Sequence, residues 1–186
     1  MKNKPGKIQD LIDSRFLKER QVFLWGEVND RSAKHVIDRL LYLDLEGTEE
    51  IKFFINSPGG FVTDGFAIYD TIESLNCDVS TICTGVAASM GSILLSAGKK
   101  GRRFIQPHAR VMIHQPSGGA RGQASNIEIQ AREILKIKEL SAKILAENCG
   151  QSVDKVMKDF NRDHWMEAQE SVEYGIVDGI ITKDGN

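Results

Sequence analysis

The chain has 186 residues, with 24 lysines and arginines against 26 aspartates and glutamates and a formal net charge of −2. That balance leaves no electrostatic footprint for nucleic acid or an anionic membrane, and 41% hydrophobic residues are enough to bury one domain-sized core. Three cysteines without paired spacing argue against a disulfide framework; with no apolar leader in "MKNKPGKIQDLIDSR" and no run of bilayer length, a soluble cytoplasmic protein is expected.

In chain order, "VFLWGEV" (Val22 to Val28) reads as a strand. "RSAKHVIDRLLYLDLEG" follows as a helix, with Ala33, Ile37, Leu40 and Leu41 at helical spacing and Gly47 as its stop. Ile51 to Asn56 is a second strand, ended by Pro58-Gly59-Gly60, and Phe66 to Leu75 a second helix. Val79 to Cys83 is a strand and Ala88 to Ala97 a helix, followed by short strands at Arg103 to Gln106 and Val111 to His114. The cluster "KKGRR" (Lys99 to Arg103) reads as a solvated turn. After the glycine-rich "PSGGARGQ" comes a long helix, Ser125 to Asn148, then helices at Val153 to Phe160 and Ala168 to Tyr174 and a last strand at Ile176 to Ile181. Strands alternating with helices, without a linker or repeat, predict a single α/β domain over residues 1–186 with parallel pairing and right-handed crossovers.

Three features sit where a predicted strand gives way to a loop or helix: Ser89, His114 and Gly59-Gly60. In open α/β sheets ligands bind beyond the carboxyl ends of the strands, so these positions are expected to converge. A serine hydroxyl needs an adjacent base to act as a nucleophile, and histidine is the usual one. His35 lies on a charged helix, His108 in a turn after Pro107, and His164 beside Asp163, which leaves His114 best placed; Asp163 in "FNRDHW" is the candidate carboxylate. A helix starting at Ser89 offers the Met90 N–H to an oxyanion, and Gly60 offers a second. Ala87 and Ala88 would then be small so that a substrate backbone can approach. Each feature also has a purely structural reading: tight strand–helix packing for the small residues, a core histidine, an ordinary Pro-Gly-Gly turn. A zinc site from His108, His114 and Asp163 is the weaker alternative, because the spacing is loose and no cysteine joins it.

Read together and in order, "INSPGG", "GVAASMGS", "RVMIHQP" and "EYGIVDGI" resemble the proteolytic subunit family of the ATP-dependent Clp protease, from about Ser14 to Thr182. The resemblance implies a crotonase-like fold of repeated β-α-β units, with an N-terminal segment over residues 1–13 and a protruding handle over about 117–148. Carried over by position, it puts the nucleophile on Ser89, the base on His114, the carboxylate on Asp163 and the oxyanion donors on Gly60 and Met90. Gly59, Phe61 and Val62 on one side, and the "SGGA" segment with Ser117 and Gly118 on the other, would take the substrate as an added strand. The resemblance further implies two stacked heptameric rings, unfolded protein substrates, and a AAA+ unfoldase of the ClpX, ClpA or ClpC type that spends the ATP. This chain has no phosphate-binding loop, and no metal or cofactor of its own is expected.

One stretch and three positions depart from the family pattern. The stretch before "SRFLKER" is short for a pore gate. Lys52 and Ser74 replace apolar residues expected in the unfoldase pocket, where Phe54 and Ile82 are kept; a buried unpaired ammonium there would weaken docking of an apolar loop, unless Lys52 snorkels out. Asn161 stands beside Arg162 where an acidic residue is usual, so a ring-to-ring ion pair is expected to be lost. These departures point to one of two paralogous subunits, active alongside a sister ring. A silent scaffold subunit and an acyl-CoA enzyme of the crotonase type are the alternatives.

Overall fold

The computed structural model describes residues 5–119 and 121–182. Apolar β-branched runs form the centre of one sheet. β1 (Gln21–Trp25), β2 (Ile51–Ser57) and β3 (Val79–Ala88) lie side by side and parallel, followed by β4 (Arg103–Ile105) and β7 (Gly179–Ile180). The crossover helices α2 (Asp30–Glu46), α3 (Val62–Ser74) and α4 (Met90–Ser96) supply the long connections that parallel pairing demands. Val22, Leu24, Phe53, Ile55 and Ile105 are fully or almost fully buried, as expected of strands covered on their faces. The start of α2 is set by Asn29, whose side chain accepts from the backbone N–H groups of Arg31 and Ser32 while Ser32 Oγ accepts from Asn29 N–H, a capping box.

β3 changes partners along its length, and that change builds the site. Its first half pairs with β4, through Thr81↔Arg103 to Cys83↔Ile105; its second half pairs with β5 (Arg110–Ile113), through Val86↔Arg110 to Ala88↔Met112. The strand was expected to end at Cys83. It runs on because extra residues at Thr84-Gly85-Val86 are absorbed where the register with β2 shifts, with Gly85 at φ +80° packed against the Asn56 side chain.

Other differences from the sequence reading have local causes. α1 (Pro5–Lys18) occupies most of the expected N-terminal segment, whose residues 1–4 lie outside the described residues. α3 begins at Val62, not Phe66; its N-cap is Phe61, which has no side-chain oxygen to announce the start. The run Ile176–Ile181 gives only the two-residue β7, because Ile176 and Val177 go into the core as a buried connection after Gly175 ends α7 (Ala168–Tyr174) in the left-handed conformation. Not every strand pair is parallel: β6 (His164–Met166), unforeseen, runs antiparallel to β5. The long helix α5 (Ala124–Cys149) leaves Ile127, Ile129, Leu135 and Leu140 exposed and buries residues only from Ser141 onward, then stops at Gly150 in the left-handed conformation. α6 (Val153–Asp159) starts on Ser152, whose hydroxyl accepts from Lys155 N–H. The cysteines Cys77, Cys83 and Cys149 are free and buried, and burial pushes the Cys83 and Cys149 thiols up to about 12, so they pack as small apolar groups.

The lower edge of the sheet is tied by a buried ion pair. Arg103 is 3% exposed; its Nη2 sits 2.6 Å from Asp178 Oδ1, its Nε donates to Asp178 Oδ2 at 2.9 Å, and its Nη1 donates to the Asn148 carbonyl at 2.7 Å. Burial alone would raise the Asp178 pKa, but the hydrogen bonds and charge from Arg103 outweigh it and hold the carboxyl below its usual value. A depressed carboxylate stabilises the fold above its unfolded pKa of about 3.9, and that contribution is lost as the pH falls through the lower folded value. Arg103→Met leaves Asp178 without its cation and is expected to cost about 3 kcal/mol in chemical denaturation at neutral pH, with much of the loss recovered in Arg103→Met/Asp178→Leu.

Candidate active site

Ser89 lies between β3 and α4 with φ +54° and ψ −122°, a conformation that residues other than glycine rarely adopt. Such strain persists only when the surroundings over-determine it. Here Ser89 N–H donates to Met112 O at 2.9 Å on β5, and Ser89 O accepts from Ser92 N–H at 3.0 Å and Ser92 Oγ at 2.6 Å in α4. Held from both sides, the turn presents the hydroxyl at the sheet's carboxyl edge, the geometry of a strand–nucleophile–helix elbow.

The small residues around it serve the chain's own packing. Ala87 and Ala88 are 0% and 3% exposed, paired with Ser57 on β2 and with Val111 and Met112 on β5, so they do not admit a substrate backbone as the sequence reading expected. What comes close is the turn after β2. A Cβ on Gly59, which has φ +93°, would lie 2.6 Å from Ser89 Cβ and 2.7 Å from the Ala88 carbonyl, and a Cβ on Gly91 would lie 3.0 Å from Ser57 O. Ser57 Oγ, fully buried, accepts from Gly59 N–H at 3.1 Å and shapes that turn.

Gly60 forms an isolated parallel bridge with Val28, made by Val28 N–H to Gly59 O and Phe61 N–H to Val28 O, both 2.8 Å. In that pattern the central residue's own N–H and C=O point away from the partner, so the Gly60 N–H faces the side opposite Val28. A Cβ there would meet Val28 O at 2.1 Å, which explains the glycine. Met90 is the first residue of α4, and its N–H is one of those a helix start leaves without an intrahelical acceptor.

His114 follows β5 and Asp163 precedes β6, and the antiparallel register decides their meeting. Ile113 pairs with His164, so the next residue on one strand faces the previous residue on the other. His114 Nδ1 is 3.1 Å from Asp163 Oδ1, and His114 Nε2 is 2.9 Å from Ser89 Oγ. The His114 side chain is 24% exposed and the Asp163 side chain 61%. The remaining histidines are elsewhere: His35 contacts Arg39 at 2.9 Å on α2, His108 lies in the turn between β4 and β5, and His164 packs on the Tyr174 ring at 5.8 Å. Among the described residues no three His, Cys, Asp or Glu side chains are grouped to hold a metal ion, which separates His108 from the His114–Asp163 pair.

Of the expected substrate-contacting residues, Gly59 to Phe61 are non-helical, with Phe61 61% exposed, while Val62 belongs to α3. Ser117 and Gly118 are exposed in an irregular segment after β5; Ala120 lies outside the described residues. With His114, Ile134, Arg162 and Asp163 they line a cavity of about 350 Å³.

A hydroxyl, an imidazole and a carboxylate in line at a sheet edge are reinforced by comparison with known protein families. The family model described as Clp protease matches residues 4–184. The chain belongs to the Clp protease family. Its mixed α/β fold is that of the family's peptidase subunit, and membership makes it a ClpP-like peptidase, a hydrolase.

The other departures from the family pattern also have places. Lys52, exposed on β2, lines an apolar groove with Phe54, Ile82, Phe104 and Ile181, with Arg102 3.5 Å from Glu50 at its rim. Ser74 ends α3, its hydroxyl donating to Thr71 O, and does not line that groove. Gln115 Nε2 donates to the Asn161 carbonyl at 3.0 Å.

Proposed function

We propose that this chain is the serine-endopeptidase subunit of a self-compartmentalised, cytoplasmic barrel that cleaves unfolded polypeptides. The observation that carries the reading is the unbroken line Asp163 Oδ1–His114 Nδ1 at 3.1 Å and His114 Nε2–Ser89 Oγ at 2.9 Å. Ser89 Oγ attacks the scissile carbonyl as His114 Nε2 takes its proton. Asp163 accepts from His114 Nδ1–H, fixing the tautomer and stabilising the imidazolium. The tetrahedral oxyanion accepts from the N–H groups of Met90 and Gly60, and His114 then protonates the leaving amine. Water repeats the sequence on the acyl-enzyme and frees Ser89. An extended substrate lies between Gly59–Phe61 and Ser117–Gly118, held by main-chain hydrogen bonds that tolerate many sequences. Two stacked heptameric rings enclose the sites, and a Clp-type AAA+ unfoldase supplies substrate and spends the ATP.

Two positions favour a refinement, in which this is one of two paralogous subunits and the sister ring receives the unfoldase. Lys52 puts an ammonium at the edge of the apolar groove, and Asn161, tied to Gln115, offers no carboxylate to an opposing ring. A silent scaffold is disfavoured because all three triad side chains are present and aligned.

A fluorophosphonate probe tests the reading. Ser89 is expected to be labelled in the wild type and unlabelled in Ser89→Ala, with peptide cleavage rising when the sister subunit is mixed in. A full-length chain that resists the probe both alone and in the mixed assembly would overturn the peptidase reading. Strong degradation of a folded substrate by this chain with an unfoldase and no sister subunit would overturn the refinement.

A further inference from the structure

The direction of the Gly60 N–H is fixed through Gly59, and Gly59 is held by a side chain that the chemistry above leaves unused. Gly59 is buried, and both of its backbone polar groups are tied. Its carbonyl accepts from Val28 N–H at 2.8 Å, and its N–H donates to Ser57 Oγ at 3.1 Å. A peptide unit is planar and trans, so the Gly60 N–H points opposite to the Gly59 carbonyl and turns with it. At φ +93° Gly59 is in a conformation open to glycine, and a residue without a Cβ has little of its own to resist rotation there. Val28 therefore pins one side of the turn and Ser57 the other. Ser57 ends β2, is 0% exposed, and its hydroxyl makes no other hydrogen bond among the described residues. It also touches the segment of the second donor. A Cβ on Gly91, which follows Met90 in α4, would lie 3.0 Å from Ser57 O and 3.4 Å from Ser57 Cβ. Gly59 closes the triangle, since a Cβ there would lie 3.0 Å from Met90 N. One buried serine thus stands behind both N–H groups, and Ser57, Gly59, Val28 and Gly91 are all buried within one chain.

We infer that Ser57 is a positioning residue for the oxyanion hole: by accepting from Gly59 N–H, it keeps the Gly60 N–H aimed at the oxyanion beside Ser89. The inference rests on the peptidase reading and adds a residue to it. Ser57 touches no substrate, forms no covalent bond and moves no proton. Without its Oγ, the buried Gly59 N–H is left unpaired, which is costly. Rotation about the glycine relieves that cost and swings the Gly60 N–H off its line. The oxyanion exists only in the transition state and the tetrahedral intermediate, so the loss falls on kcat rather than on substrate binding.

Ser57→Ala in the full-length protein tests it, mixed with an inactivated sister subunit if turnover needs one. Active sites are counted by fluorophosphonate labelling of Ser89 taken to completion, so that a change in folding or assembly alters the count and not the rate per site. Per labelled site, kcat is expected to fall about 10- to 50-fold, short of the 10²–10³ that removing a donor outright costs. KM is expected to stay within about 2-fold. A peptide aldehyde and its matching alcohol give a second readout. Ser89 Oγ adds to the aldehyde carbon, His114 takes the hydroxyl proton, and the carbonyl π pair becomes an oxyanion; the alcohol forms no such adduct. The inhibitory advantage of the aldehyde over the alcohol should shrink by about the same factor as kcat, while any change in strand binding cancels between the two. If Ser57→Ala does not assemble, Ser57→Cys, similar in volume and a weaker acceptor, enters the same comparisons with a smaller loss of the same kind. A kcat per labelled site within about 2-fold of wild type, a loss confined to KM or to the number of labelled sites, or an unchanged aldehyde-to-alcohol ratio overturns the inference. A wild-type chain that resists the fluorophosphonate sinks the peptidase reading instead.

Discussion

Ser89→Ala and His114→Ala are each expected to lower peptide turnover by about 10⁶-fold, and the double variant to lose no more than either single one. A hydroxyl without a base is not a nucleophile near neutral pH, and a base without the hydroxyl has no proton to take, so the pair fails as a unit. The 2.9 Å contact between Ser89 Oγ and His114 Nε2 is the shared element that both substitutions remove. Neither change should disturb the fold. Alanine at position 89 meets the same backbone restriction at φ +54° as serine does, and the anchoring bonds from Ser89 N–H to Met112 O and from Ser92 to Ser89 O are main-chain features that survive. Steady-state kinetics on a short fluorogenic peptide, with denaturation midpoints measured alongside, gives the check. Losses that multiply in the double variant would mean that the two side chains act separately.

The fold class was legible because its strong signals are local. The helix of Ala168–Tyr174 and the strand beginning at Ile51 begin where periodicity places them, and β3, α4 and α5 begin within two residues of their expected starts. Ser89 and His114 stood out as polar residues at predicted strand ends and were expected to converge, but no predicted element placed the meeting of His114 with Asp163. That meeting depends on β6, three residues of "HWM" with one buried side chain, too short and too polar at its start to read as a strand. It is a strand because β5 offers it an edge, and the pairing Ile113↔His164 is a tertiary fact. The strain at Ser89 is hidden for the same reason. Nothing in "AASMGS" encodes a positive φ at a serine; it follows from the closeness of Gly59 and Ala88 and from the bond to Met112 O. Ala87 and Ala88 were read as marks of close approach, but by substrate; what packs against Ala88 and Ser89 is the turn after β2 at Gly59. The early start of α3 at Val62 was missed because the cap at Phe61 is unsignalled.

Asp163→Asn is expected to lower turnover by about 10⁴-fold while leaving assembly and Ser89 exposure unchanged. The size of the loss comes from the tautomer. As a carboxylate, Asp163 can only accept, so the 3.1 Å contact puts the imidazole proton on Nδ1 and leaves Nε2 free to take the proton of Ser89 Oγ. An asparagine in the same rotamer can turn its amide N–H₂ to Nδ1, which drives the proton to Nε2, where it blocks the serine. Asp163→Ala removes the carboxylate without imposing that wrong tautomer. With the native side chain 61% exposed, water can reach Nδ1 in its place, so alanine is expected to be the milder of the two substitutions. The order of the two variants therefore distinguishes two roles for one residue. If alanine is as damaging as asparagine, the negative charge beside the imidazolium is the larger contribution; if alanine is the better enzyme, orientation is. An exposed carboxylate favours orientation, since its charge is screened by solvent while its directional acceptance from Nδ1–H is not.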